Sequence, residues 1–268
     1  MVALSSGSDR ADTLIRLTCG RALALPPLPL PTDLPDDQTQ AESVLAAFAE
    51  QFTVDVTGIG ENLRTRFVDC WGADAFRTVV AVYIADFVPR VWAGCQALGL
   101  GAPGRTAEVQ WDRETDPIDF VLNGFVPEVA RQRELDPVTT EVVRLRGAEA
   151  HDCRLCKSLR ERHALDAGGS EDIYGQIHDF EHGSDLSDAH KAALRYVDAL
   201  VWSPATIGEK VAAGVRKHFS QKQALELTLD VMRNAANKIL VSLGSDAARV
   251  TEGTELYEID EAGQTVFA

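Results

Sequence analysis

Two cysteines three positions apart, in the run His151-Asp152-Cys153-Arg154-Leu155-Cys156, carry the most specific chemistry in the chain. Thiols at that spacing can close into a disulfide and reopen, so the segment is a candidate redox centre. The thiolate is the reactive form, and a free cysteine with a pKa of about 8.5 is mostly protonated at neutral pH. Asp152 is expected as the N-cap of a helix from Cys153 to Leu165. That would put both thiols in its first turn, where unpaired N–H groups and the helix dipole favour negative charge. Arg154, Lys157 and Arg160 add positive potential, Arg160 one turn beyond Cys156 on the same face.

Glu141 falls within the apolar stripe Val138, Val142 and Leu145 of the preceding helix. A carboxylate facing a core needs a partner or does work, and burial pushes its pKa toward that of a proton donor and acceptor near neutrality. The alternative is an exposed Glu141–Arg144 pair at i,i+3. His151 lies just before the thiols and can fold back toward either sulfur. His163 shares the face of Cys156 but lies about 10 Å along the helix axis, too far for a direct hydrogen bond. His178, His182, His190 and His218 read as surface or capping residues. A structural zinc site needs four ligands, and no second Cys or His pair stands at ligand spacing, so no metal and no cofactor is expected. Two bystander thiols in an apolar core would sit awkwardly beside Arg154 and Lys157.

The elements around these residues read as helices. The chain has 268 residues, 45% hydrophobic, enough to bury a large core as one big domain or two small ones. A formal charge of −15 argues against nucleic acid and anionic membranes as partners. No uninterrupted apolar run approaches the roughly 20 residues of a membrane helix, and Arg16 and Arg21 argue against a secretory signal. Five cysteines, an odd number in a chain this size, fit a cytoplasmic protein with mostly reduced thiols. Cys70 and Cys95 lie in apolar helical patterns and read as core residues, whereas Cys19 is uninformative.

Residues 1–38 read as an extension, with a short helix near Leu14–Ala24 and then a proline-rich run. Residues 39–114 form a helical region with helices over Ala41–Phe52 and Ala73–Leu98, the second kinked or broken at Pro89. The Gly99–Gly104 punctuation leads into a polar connector. Residues 115–250 form a second helical region carrying the Cys pair. Its helices run from Asp136-Pro137 to Ala148, Cys153 to Leu165, Ser187 to Trp202, Thr206 to His218 and Gln221 to Leu243, the last stopped by Gly244. Residues 251–268 alternate around a glycine-containing turn as a β-hairpin. The segments Cys70–Gly99 and His218–Gly244 echo one another, so 39–114 is a candidate degenerate repeat without the Cys pair.

The pattern Glu-x11-Cys-x2-Cys on consecutive helices, Glu141, Cys153 and Cys156, resembles the alkylhydroperoxidase D and carboxymuconolactone decarboxylase superfamily. The resemblance spans about 115–244, including the Leu186–Tyr196 segment and the final helix around Asn234 and Asn237. It implies an all-α, alkylhydroperoxidase D-like helical bundle and a thiol-dependent hydroperoxidase, an antioxidant peroxidase of the redox-active-disulfide type. By the resemblance, Cys156 is the peroxidatic thiolate, Cys153 resolves it to a disulfide, and Glu141 takes the proton from Cys153. The partners implied are a small hydroperoxide and an external dithiol reductant, and the assembly a trimer or hexamer. Where the family carries a relay histidine four residues beyond the second Cys, this chain has Arg160. It can hold a thiolate by charge but cannot shuttle a proton, which leaves His151 or His163 as candidates for the relay. The alternatives are a non-redox decarboxylase or isomerase acting on a small cyclic acid, and a non-catalytic thiol sensor.

Overall fold

The computed structural model describes residues 1–34, 37–101 and 109–267, and in them the protein is mostly helical with one small sheet. Pro35 of the proline-rich run and positions 102–104 of the expected punctuation lie outside the described residues.

The principal core gathers around α4 (Ala75–Leu98), whose Val79, Val80, Val82, Tyr83 and Phe87 are fully buried. Packed on it are α1 (Asp9–Leu23), α2 (Gln40–Val54), α3 (Glu61–Trp71), α11 (Asp188–Trp202), α12 (Glu209–His218), α13 (Gln221–Asn234) and α14 (Asn237–Leu243). Phe48 of α2 stacks on Phe67 of α3 with ring centroids 3.9 Å apart. The N-terminal segment, read from the sequence as an extension that drapes over the body or a neighbouring subunit, lies against the body and enters its core in the described residues. Leu14, Ile15 and Cys19 of α1 are buried in the core, as is Leu28 from the proline-rich run. Pro89 does not break α4, which runs unbroken through it.

The stretch Glu61–Leu98 is long and apolar enough by composition to cross a membrane. However, 78% of its most apolar window is buried inside the protein, as in a core helix. Polar groups buried in α4 have specific partners. Asp86 accepts from Arg90 Nε at 2.8 Å and from Lys238 Nζ at 2.6 Å. The Arg90 guanidinium also donates to the carbonyls of Thr53, Leu200 and Val201, near the C-termini of α2 and α11. A cation there satisfies orphan carbonyls and meets the negative ends of two helix dipoles.

The second, smaller cluster holds Val138, Val142 and Leu145 of α7 (Pro137–Ala150) against Tyr174, Ile177, Phe180, Leu186 and Leu194. Asp136 caps α7 as the sequence predicts, accepting from Thr139 N at 2.9 Å, with Pro137 at the first helical position. Ser187 caps α11 in the same way. Local sequence misses α5 (Pro117–Asp119), the π-helical turn Phe120–Phe125 and α6 (Val126–Ala130), which fill the stretch before α7.

Two expected helices are interrupted. The 221–243 pattern breaks at Ala235-Ala236 into α13 and α14, the second ending at Gly244 with φ of 69°. The helix expected over Cys153–Leu165 becomes α8 (Arg154–Lys157), β1 (Leu159–Glu161) and α9 (Arg162–Asp166), followed by α10 (Glu171–Tyr174). The cause is the C-terminal tail. β2 (Glu255–Ile259) and β3 (Thr265–Phe267) form the predicted hairpin, and β2 also pairs in parallel with β1, Arg160 opposite Leu256. Glu255 N–H donates to the Ser158 carbonyl at 2.8 Å, satisfying a group that a continued helix would have held.

Candidate functional site around Cys153 and Cys156

The end of α7 turns sharply through Asp152, whose φ of 49° is a left-handed conformation that aspartate tolerates. This moves the cap by one residue. Cys153, not Asp152, is the N-cap of α8, and its sulfur accepts from Cys156 N–H at 3.2 Å. The two cysteines are joined as a disulfide with Cα atoms 5.3 Å apart. Their environments differ: Cys153 is fully buried, whereas Cys156 is partly exposed. Cys156 lines a cavity of about 200 Å³.

The cations expected to surround Cys156 are matched elsewhere. Arg154 makes a paired contact with Asp246, whose carboxylate also takes the Arg154 N–H and is held below its usual pKa, chiefly by the arginine's hydrogen bond. Lys157 pairs with Asp152. Arg160 binds both oxygens of Glu171, at 2.7 and 2.9 Å, and lies over the Tyr174 ring. The expected placement of Arg160 against the Cys156 sulfur therefore fails, because residue 160 sits in a strand and not one helical turn on. With only four residues in α8, the expected long dipole is absent as well.

Two other arginines take that place. Arg144 from α7 and Arg233 from α13 both line the cavity of Cys156. All three nitrogens of Arg144 are engaged: Nε and Nη2 on the two oxygens of Glu141 at 2.6 and 2.7 Å, Nη1 on the Cys156 carbonyl at 2.8 Å, and Nη2 also on the Leu159 carbonyl at 2.7 Å. Its guanidinium lies 5.5 Å from the Tyr257 ring centre; burial by itself lowers its pKa, but Glu141, Tyr257 and Tyr174 together raise it on balance.

Glu141 is thus both inward, at 1% exposure, and paired with Arg144, combining the two alternatives its sequence position allowed. It also accepts from the Glu161 amide at 3.2 Å. Through Arg144 it fixes the carbonyl of Cys156. Its carboxylate is committed to these bonds, so a direct proton transfer with Cys153 remains an expectation carried only by the resemblance.

The histidines separate. His163 is more than half exposed, bonds Glu161 at 2.8 Å, and lines a smaller adjoining cavity with Arg133, Glu141 and Asp230. His151 is 3% exposed, edge-on to Phe87, with Nδ1 2.9 Å from Asn237 Oδ1 and Nε2 without a partner among the described residues. Burial pushes its pKa well below the usual value, Lys238 and Arg90 adding to the effect, so the ring is neutral. Asn237 lines the cavity of Cys156, leaving His151 one hydrogen bond removed from it.

The residues that sequence reasoning missed are Arg233 and Tyr257, along with the placement of Asn234 and Asn237. Arg233, Asn234 and Asn237 straddle the α13–α14 break, which turns all three toward the cavity. A signal was available in the polar run Arg233-Asn234 and Asn237-Lys238 interrupting an apolar helix. Tyr257 and Ile259 of β2 and Thr265 of β3 complete the cavity wall. The other thiols stand apart. Cys19 and Cys95 are buried, burial raising the Cys19 pKa to about 12, whereas Cys70 is exposed and not in the core as its pattern predicts. Among the described residues no cluster of three His, Cys, Asp or Glu side chains could hold a metal ion.

No family model and no solved structure matches the chain. Among curated proteins, the uncharacterized proteins Rv2313c and MT2376 of two Mycobacterium tuberculosis strains are each 54% identical to it over 270 residues, covering 100% of this chain and 95% of theirs. YnjA of Escherichia coli, also an uncharacterized protein, is 26% identical over 121 residues, 45% of this chain and 66% of its own. With identity at that level from end to end, the chain belongs to the family of the Mycobacterium tuberculosis protein Rv2313c.

Proposed function

We propose that the protein is a thiol-dependent hydroperoxidase that cycles Cys153 and Cys156 between dithiol and disulfide. The observation that carries this reading is the asymmetry of the pair: Cys153 is fully buried, whereas Cys156 is partly exposed and lines a cavity. A resolving thiol needs protection and a peroxidatic thiol needs access. The likeness of Glu141, Cys153 and Cys156 to the alkylhydroperoxidase D pattern supports the same assignment.

In the reduced protein the Cys156 thiolate attacks the terminal oxygen of a hydroperoxide. The O–O bond breaks, the alkoxide leaves and takes a proton from solvent, and Cys156 becomes a sulfenic acid. Cys153, as the thiolate favoured by the Cys156 N–H, then attacks that sulfur. A disulfide forms, and hydroxide leaves and is protonated to water. An external dithiol supplies two electrons by two exchanges and departs as its own disulfide. The sum converts hydroperoxide and dithiol to alcohol, water and a disulfide.

The test is hydroperoxide-dependent oxidation of added dithiothreitol. Cys156→Ser is expected to abolish it. Treated with one equivalent of hydroperoxide in the absence of reductant, Cys153→Ser is expected to hold a sulfenic acid at Cys156 that can be trapped and weighed by mass spectrometry. Undiminished turnover by Cys156→Ser refutes the assignment.

A further inference from the structure

The cavity that Cys156 lines has a mixed wall. Val126, Leu155, Leu159 and Ile259 are apolar, and no Asp or Glu is among its lining residues, in a chain with 41 acidic positions. Arg144, Arg233, Asn234 and Asn237 supply polar groups to the same lining. All three nitrogens of Arg144 are taken by protein acceptors, but the donors of its polar neighbours are not.

Among the described residues Arg233 has one ion pair, its Nε 3.0 Å from Asp230 Oδ1, without the geometry of a hydrogen bond. Asp230 is itself 1% exposed, its Oδ2 has no partner among the described residues, and burial raises its pKa. Asn234 Nδ2 is buried with no acceptor among the described residues. Asn237 gives its carbonyl oxygen to His151 Nδ1, so its NH2 is the end left for another partner. Buried donors left unsatisfied carry a desolvation penalty that an acceptor group removes.

From these donors we infer that Arg233, Asn234 and Asn237 form a carboxylate-binding pole beside the reactive sulfur, and that the preferred hydroperoxides carry a carboxylate on an apolar chain. The substrate class rests on the peroxidase reading of Cys156, whereas the carboxylate site itself does not. A guanidinium with two flanking amides matches the acceptor geometry of a carboxylate. The aliphatic lining residues offer contact to the chain, and Cys156 lines the same cavity.

The test has two arms. In the first, the whole protein is titrated by calorimetry with octanoate and with octanol, which share an alkyl chain and differ in the anionic group. Octanoate is expected to bind at least about 10-fold more tightly, as one charge-assisted hydrogen bond supplies. Arg233→Gln and, independently, Asn234→Leu are expected to erase most of that preference. Equal affinity for the two ligands in the unaltered protein overturns the inference, and so does a preference that survives both substitutions.

In the second arm, a fatty-acid hydroperoxide and its methyl ester are compared as substrates with dithiothreitol as reductant. The acid-to-ester ratio of kcat/KM is expected to fall about 10-fold in Arg233→Gln, mostly through KM. An unchanged ratio counts against the inferred substrate class. Octanoate binding through Arg233 without turnover of either hydroperoxide would leave the carboxylate pole standing and remove the peroxidase reading, so the two failures are distinguishable.

Discussion

At the level of single residues, the site depends on which charges have partners. Arg154, Lys157 and Arg160 neutralise carboxylates and leave Cys156 to Arg144 and Arg233. Glu141→Gln removes half of a buried pair and strands the Arg144 charge, so the variant is expected to lose about 3 kcal/mol of stability. Urea unfolding checks this, and a loss under 1 kcal/mol argues against a supporting role for the pair. Burial also orders the thiols. After reduction and a brief exposure to iodoacetamide, Cys156 and exposed Cys70 are expected to label first, with Cys153, Cys19 and Cys95 protected. Rapid labelling of Cys153 ahead of Cys156 would reverse the assigned roles. The type and spacing of Cys153, Cys156 and Glu141 could be seen directly in the sequence. The i,i+3 spacing of Glu141 and Arg144 could be seen there too, whereas the partners of Arg154 and Arg160 could not, because those bonds reach other elements.

At the level of elements, the C-terminal hairpin forms part of the site. β2 pairs with β1 immediately after α8, and Asp246 binds the N-terminus of α8 through Arg154 N–H while its carbonyl takes Leu155 N–H at 2.9 Å. The turn between β2 and β3 needs Gly263, whose φ is 81° and whose added Cβ would stand 2.1 Å from the Pro127 carbonyl oxygen of α6. Gly263→Ala is therefore expected to detach the hairpin. Hydrogen exchange should speed up across 255–267 and at 159–161, while α4 stays protected. Exchange confined to the turn itself would show that the hairpin is not held there. A hairpin was readable from alternation and its glycine. That it reaches back about a hundred residues to convert Leu159–Glu161 into a strand was not, since strand pairing at that separation leaves no local period.

Over the whole molecule, pH acts through buried groups. His151 has a folded pKa well below 6.5 because burial disfavours its charged form. Between that value and 6.5 the unfolded chain binds a proton that the folded chain does not, so stability falls as pH drops below 6.5 and is regained above it. The expected slope is about 1.4 kcal/mol per pH unit from this residue, and His151→Gln should flatten it. Equal slopes for the two proteins in urea titrations between pH 5 and 7 would sink the claim. Lys238, its pKa lowered to about 8 by burial, gives the same sign at alkaline pH. Its penalty is full below 8, and stability rises as pH moves from 8 toward 10.5, where the unfolded lysine also loses its proton.

The sequence by itself settled the helical character, the caps at Asp136 and Ser187, the stop at Gly244, the terminal hairpin and the identity of the thiol pair. These follow from side-chain period, cap chemistry and spacing, which act within a few residues. The tertiary structure alone decided that α1 belongs to the core, that Cys153 is the sealed sulfur and Cys156 the open one, and that Arg144, Arg233 and the two asparagines face the latter. Those outcomes depend on which distant element satisfies a backbone group or a charge, and that is fixed only when helices and tail pack together.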